Sequence, residues 1–293
     1  MTAYATYVVS GFSRTARRKL TSSLFVAFCA LSVLIALVPL ALVLFFVIGQ
    51  GIRAINFDFF TQMPKPVGEP GGGMANAIVG TLILTGLGSI MAIPIGVVSG
   101  VYMSEYAGTR FSSVTRFAAD TLNGVPSIAI GVFAYGVAVL PFRQFSALAG
   151  GVALGIMMIP IIARTTEELL LLVPETMREG ALALGATRAR AVFSVVVPAA
   201  LPGIITGIVL ALARIAGETA PLLFTALSNR FFTTSLTQPI ASLTVQVYTY
   251  AISPYEDWHR QAWAGALVLV TIVLCCSLLA RLMTRRVEKM YGR

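Results

Sequence analysis

The sequence predicts an all-α membrane protein, a bundle of six transmembrane helices with both ends on one side. Three observations predict it. The 293-residue chain is 57% hydrophobic and only 11% charged, whereas soluble domains carry roughly 25% charged residues. Six apolar stretches approach the roughly 20 residues that a helix needs to cross a hydrocarbon core. The basic residues crowd into the segments that six crossings bring to one face. The same composition excludes intrinsic disorder and small disulfide scaffolds.

The stretches follow in order. The first runs from about Ser23 to Val47 and contains Pro39, which predicts a kink. It is too long for a cleaved signal peptide, and no small-residue cleavage site follows it. The second runs from about Met74 to Tyr102 with Gly80, Gly86, Gly88, Gly96 and Pro94. Its small residues predict close packing inside a bundle. The third runs from about Leu122 to Leu140, and the fourth from about Ser146 to Ile162 with Pro160 near its end. Between them Pro141 to Phe145 reads as a tight hairpin. The fifth begins at Val192 or at Leu201 and ends near Leu223, and the sixth covers Trp263 to Ala280. Residues 1–22 then form a cytoplasmic N-terminal segment, 23–283 the membrane domain, and 284–293 a basic cytoplasmic tail.

Charge sets the sidedness. Fifteen of the 21 basic residues fall on one face: Arg14, Arg17, Arg18 and Lys19, then Arg110 and Arg116, then Arg164, Arg178, Arg188 and Arg190, and five from Arg281 to Arg293. Five fall on the other: Arg53, Lys65, Arg143, Arg230 and Arg260. The richer face is cytoplasmic by the positive-inside rule, so both termini are expected there. Topology accounts for the basic balance, and no nucleic-acid partner is expected. Cys29, Cys275 and Cys276 lie in apolar runs without metal-ligand spacing and read as small buried hydrophobes. The lone His259 reads as a solvated loop residue. No metal site and no cofactor is expected.

Two segments occupy the outer face. Residues 49–73 end in Pro66-Val-Gly-Glu-Pro-Gly-Gly-Gly73, which reads as a flexible surface turn. Residues 225–260 are longer and less polar. Phe231, Phe232, Ile240, Leu243, Val245, Val247 and Tyr248 admit two readings: a structured cap facing a partner, or an interfacial amphipathic loop.

The stretch from Arg164 to Leu201 carries the most specific pattern. Pro174 followed by Glu175 suits a helix start, because proline fits the first turn and an acid complements the dipole there. Glu179 to Leu184 favours helix. Gly185 ends it, and Thr187 caps a second helix bearing Arg188 and Arg190. The expected form is a short helix on the cytoplasmic side, a glycine turn, and re-entry into the fifth span. Glu179-Gly180-Ala181, three residues, Gly185, nine residues, Val195, one residue and Val197-Pro198 follow the spacing of a known loop. That loop is Glu-Ala-Ala, three residues, Gly, nine residues, Ile, one residue, Leu-Pro, and it resembles the coupling loop of ATP-binding cassette importer permeases. Gly180, Val195 and Val197 depart from the pattern while keeping size and apolarity, and Gly180 should loosen the helix slightly. The resemblance implies a type I permease bundle whose loop, at about 164–191, docks on a separate ATPase, with Glu179, Gly180, Ala181 and Gly185 at the contact. The chain has no Gly-x-x-x-x-Gly-Lys-Ser/Thr stretch, so an ATP site must come from a partner. An ordinary amphipathic connector is the plain alternative.

The fifth span holds Arg214 and Glu218, four residues apart and expected on one helical face. Ionised groups in a membrane helix normally face a bundle interior or an aqueous path. A guanidinium on a path suits a tetrahedral oxyanion. A structural ion pair joining two helices is the other reading. The string Ala213 to Leu222, with Arg164-Thr-Thr-Glu-Glu168 and Asn123-Gly-Val-Pro-Ser-Ile128, resembles the phosphate-specific permeases of this class, PstA type, over about residues 72–283. That resemblance implies that Arg214 and Glu218 line an anion path and that Arg164 and Glu167 form a second charged pair near its cytoplasmic mouth. Arg164 and Glu167 read equally well as a helix-end bridge. It further implies a second permease subunit (PstC type), an ATP-binding subunit dimer (PstB type), an extracytoplasmic phosphate-binding protein (PstS type), surrounding lipid, and a multi-pass place in the bacterial inner membrane. The chain itself is expected to be no enzyme. Rival readings are a permease for another oxyanion such as sulfate or molybdate, a secondary transporter, and a non-transporting assembly subunit.

Overall fold

The computed structural model describes the backbone of residues 2–69 and 71–291 and the side chains of residues 17–69, 71–278 and 282. The side chains expected to be basic anchors at Arg14, Arg281, Arg285, Arg286, Lys289 and Arg293 lie outside the described residues. The described residues are helical with no strand. Five helices are long and apolar enough to cross a membrane, or six when one bent pair counts as a span. The chain divides into two compact units, residues up to Gln50 and residues from Gly51 onward.

The first unit is most of α1 (Thr2–Ala54), which runs through Pro39 without a break. Most of its described apolar side chains are exposed, Phe25 at 67% and Phe45 at 72%, while Val47 is buried. A helix apolar all round belongs in lipid or against another helix.

The second unit opens with α2 (Phe57–Thr61), where Asn56 Oδ1 accepts from Phe59 N at 2.8 Å. Phe59 is buried, so residues 49–73 are more ordered than a flexible turn. The glycine-rich end is still a turn, with positive φ at Gly68, Gly71 and Gly72.

Next come α3 (Ala75–Glu105), α4 (Arg110–Gly124), α5 (Ser127–Ala134) and a π-helical turn over Tyr135–Val139. The third span does not begin at Leu122. Leu122 to Gly124 close α4, and the chain bends by 108° into α5. Pro126 causes this. It lacks a donor and drives Val125 to an extended ψ of 131°. α6 (Ala147–Leu171) follows a short turn and is capped by Ser146, whose hydroxyl accepts from Ala149 N.

The pairing of α3 with α6 is the most extensive in the structure. Glycines make it possible. A Cβ built on Gly96 would lie 2.8 Å from Ile162 Cβ, and one on Gly100 would lie 2.5 Å from Thr166 Cβ and 2.6 Å from Ala163 O. The main core forms along this seam, with Leu84, Leu154, Met158, Ile162 and Ile215 buried.

Then come α7 (Glu175–Ala183), α8 (Arg188–Ala191), a second π-helical turn over Val192–Val196, and α9 (Val197–Ala216). The fifth span is one helical run from Arg188. It stops at Gly217 rather than reaching Leu223. The short α10 (Ala220–Thr225) starts after the break with Pro221 in its first turn. Residues 226–242 run across the end of α6, where Ala147 N donates to Gln238 O and Leu148 N to Leu236 O, both at 3.0 Å. α11 (Leu243–Ala251) and α12 (Glu256–Tyr291) complete the chain. The 225–260 segment is therefore a structured cap. Ile240, Leu243 and Val245 are buried, while Phe231, Phe232 and Tyr248 face outward.

Two smaller expectations fail. All three cysteines are exposed on helix surfaces and free. His259 lies within α12, half-buried, with Nε2 2.6 Å from Ser253 O.

Gly100→Leu is expected to destabilise the folded protein by about 1–3 kcal/mol through overpacking. Gly86, on the same helix, has open space beside it, so Gly86→Ala should be neutral or stabilising by up to about 1 kcal/mol. Thermal unfolding of the two variants in detergent checks both.

Candidate functional site

α7 stands on the end of the bundle that carries Arg116, Arg164 and Arg178. Pro174 is extended (φ −56°, ψ 136°) and Glu175 occupies the first turn, as an N-terminus requires. The helix ends in a Schellman motif. Ala186 N donates to Ala181 O at 3.2 Å and Gly185 N to Leu182 O at 2.9 Å. Gly185 adopts φ +82°, the left-handed value that this motif demands. Thr187 Oγ1 then accepts from Arg190 N and caps α8. No residue of α7 is buried. Glu179 and Gly180 are exposed and Ala181 is half-buried. Leu184, beside Gly185, is 91% exposed. This is a preformed, solvent-facing helix with an apolar tip, a form suited to docking on another protein. Behind it lies a cavity of about 490 Å³, lined by Glu105, Arg178, Glu179, Leu182, Arg188 and Phe193 among others.

A second cluster joins α4 to α6. Glu167 is 1% exposed. Arg116 Nε donates to its Oε1 at 2.8 Å, and Arg164 pairs with its Oε2. Arg164 Nε also lies 2.8 Å from Asp120, and its far nitrogen 3.6 Å from Glu168. Arg164 and Glu167 therefore meet, as expected from their spacing. Sequence reasoning missed Arg116 and Asp120. Their signal was present, since they are four apart on an amphipathic helix whose other face carries the exposed Phe111, Val114 and Phe117. A buried carboxylate is tolerable here because two guanidiniums share it.

Arg214 and Glu218 differ from expectation. They do not share a helical face, because α9 ends at Ala216 and Gly217 caps it. Glu218 follows the break, and its backbone carbonyl accepts from Thr244 Oγ1 at 2.9 Å. Among the described residues Arg214 makes no ion pair. Its side chain is exposed, in the last turn of α9, where a cation complements the helix dipole. Gly207 of α9 meets Thr165 of α6, and Arg214 lies two turns further, about 10 Å along the axis. The guanidinium is thus separated from the Arg164 cluster and has no ion-pair partner among the described residues.

An all-helical membrane bundle with a bent third span, a broken fifth span and an exposed helix between the fourth and fifth is the fold of type I ATP-binding cassette importer permeases. It is similar to the inward-facing MetNI methionine ABC transporter, with TM-score 0.59 and 21% identity over 73% of this chain and 93% of that one. It is also similar to a bacterial alginate ABC transporter solved with an alginate pentasaccharide-bound periplasmic protein, with TM-score 0.65 and 16% identity over 91% and 95%. The chain belongs to the binding-protein-dependent transport system inner membrane component family, whose model matches residues 92–289. Its relatives include the phosphate transport system permease protein PstA of Haemophilus influenzae, 45% identical over 90% of this chain and 94% of that protein. The PstA of Yersinia pestis is 41% identical over 94% of both chains. PstA 1 of Mycobacterium tuberculosis is 37% identical over 91% and 88%.

Glu167→Gln should destabilise the protein by about 2 kcal/mol, because two guanidiniums lose their shared charge. That is less than the roughly 3–5 kcal/mol of a fully buried pair, since the arginine side chains are 31% and 26% exposed. Glu168→Gln, on the 65% exposed neighbour, should change stability by under about 0.5 kcal/mol. The two thermal unfolding midpoints in detergent make the comparison.

Proposed function

We propose that this chain is one permease subunit of an ATP-driven importer of inorganic phosphate. The observation that carries the reading is the exposed guanidinium of Arg214, in an apolar span and without an ion pair among the described residues. A charge so situated is costly against lipid and favourable against an aqueous path or a passing anion. The permeases of phosphate transport systems among its relatives supply the substrate class.

In this reading the chain forms half of a path, and a second permease subunit of PstC type supplies the facing wall. A phosphate-binding protein of PstS type docks on the capped outer face. A dimer of PstB-type ATPase subunits docks on the cytoplasmic face through α7, with Glu179, Gly180 and Ala181 at the contact and Gly185 holding the turn. ATP binding draws the ATPases together and opens the path outward. Phosphate enters beside Arg214, whose fork matches two of its oxygens. Glu218, just past the helix break, limits how tightly the anion is held. Arg164 and Glu167 guard the cytoplasmic mouth. Hydrolysis and release return the inward-facing state. Moving an anion into a negative interior costs about 2.3 kcal/mol per charge per 100 mV, and ATP hydrolysis in the partner supplies that energy. This chain makes no bond to substrate; it provides a gated passage.

Reconstitution in liposomes with the partner permease, ATPase and binding protein tests the reading. Labelled phosphate uptake should require ATP and exceed sulfate uptake. Arg214→Gln should lower phosphate uptake at least about tenfold, as loss of a charge-assisted hydrogen bond predicts, with the complex still assembled. Unchanged uptake in that variant would remove Arg214 from the path, and uptake without any ATPase would defeat the whole assignment. Glu179→Ala should weaken ATPase co-purification. Gly185→Ala should do so as well, because it strains the φ +82° turn by on the order of 1 kcal/mol.

A further inference from the structure

A helix that transmits force must be fastened to what it moves. α7 buries none of its residues, and a cavity of about 490 Å³ lies behind it. Apolar packing therefore does little to hold it. Among the described residues, Arg178 is the α7 side chain that makes a hydrogen bond or ion pair to the long bundle helices. Arg178 donates to Leu170 O at 3.1 Å. Its guanidinium also lies 3.1 Å from Glu105 Oε1.

Both acceptors sit at helix ends. Leu170 is in the last turn of α6, and its carbonyl also accepts from Val173 N at 3.3 Å. Glu105 is the last residue of α3. One guanidinium thus gathers the C-terminal ends of α3 and α6. Those two helices are seated on each other through Gly96 and Gly100. The Arg178 and Glu105 side chains are 21% and 19% exposed, so water screens the link only in part. Arg178 Nε and Glu105 Oε1 make no hydrogen bond of good geometry. The contact to Glu105 is a charge attraction with spare bonding capacity, able to persist over a range of α7 positions.

We propose that Arg178 is the positioning residue through which displacement of α7 reaches the α3–α6 pair. Glu105 is its anchor on α3. The inference rests on the reading of α7 as the ATPase-docking helix. One terminal nitrogen of Arg178, Nη2, meets both the Leu170 carbonyl and the Glu105 carboxylate; a lysine keeps the charge on a different, more strongly hydrated head that lacks the planar group's reach.

The complete transporter in liposomes provides the test, with three readouts for each variant: ATPase co-purification, ATP hydrolysis, and phosphate taken up per ATP hydrolysed. Arg178→Met should keep the ATPase bound and hydrolysing at no less than half the native rate, while uptake per ATP falls tenfold or more. Arg178→Lys should fall between that variant and the native protein. Glu105→Gln keeps the shape and the Leu170 contact, so its uptake per ATP should fall about threefold. Native uptake per ATP in both Arg178→Met and Glu105→Gln would overturn the proposal. Loss of the ATPase from the Arg178→Met complex would also overturn it, by making Arg178 a docking or folding residue. Glu179→Ala separates the two readings: if it leaves both association and uptake per ATP intact, α7 is no docking helix, whatever Arg178 does.

Discussion

The seating of α3 on α6 is the contact from which the second unit is built. In lipid no hydrophobic force draws helices together, so close approach and polar contacts must do so. Gly96 and Gly100 allow the approach. Other elements then attach to this pair. α4 is tied to α6 by Arg116 and Glu167. α9 lays Gly203 against Leu169 and Gly207 against Thr165. The outer cap is tied to the start of α6 by backbone hydrogen bonds at Ala147 and Leu148, and Thr81 Oγ1 on α3 accepts from Leu243 N at 2.8 Å.

Against that frame the charges divide into two kinds. Glu105, Arg116, Asp120, Arg164, Glu167 and Arg178 answer one another at one end of the bundle. Their spacing ties α4 and α7 to α6 and α3, and no charge among them is left alone. Arg214 is the contrast. It lies within a span, exposed, with no ion pair among the described residues. A structural arginine in such a place would be matched from within its own chain, as Arg116 and Arg164 are.

The spans were legible because hydropathy and length are one-dimensional properties, and lipid enforces both. The α7 turn was legible for a different reason: Gly185 is demanded by a local backbone geometry that the Schellman hydrogen bonds fulfil. Failures came where apolar character and helical continuity part. Leu122 to Leu140 is mostly apolar, yet the chain bends by 108° at Pro126 inside it. Arg214 and Glu218 have helical spacing, yet Gly217 ends the helix between them. The Arg116–Glu167 pair spans 51 residues. Which distant charges meet depends on how α4 crosses α6, and no local rule supplies that crossing.

The exposed surfaces extend the same argument. α1 offers apolar side chains all round, α4 offers Phe111, Val114 and Phe117, and α7 offers Leu184. Lipid satisfies the first at no cost, since a uniformly apolar helix needs no partner in hydrocarbon. It does not satisfy α7, a helix that buries nothing of its own, carries Glu179 outward and sits where polar side chains gather. Nor does lipid satisfy Arg214. These two features lie on different elements and have different chemistry. One calls for a protein surface that accepts a carboxylate and a leucine, the other for a facing wall or an anion. That pair of exposed features is what the proposed assembly has to cover.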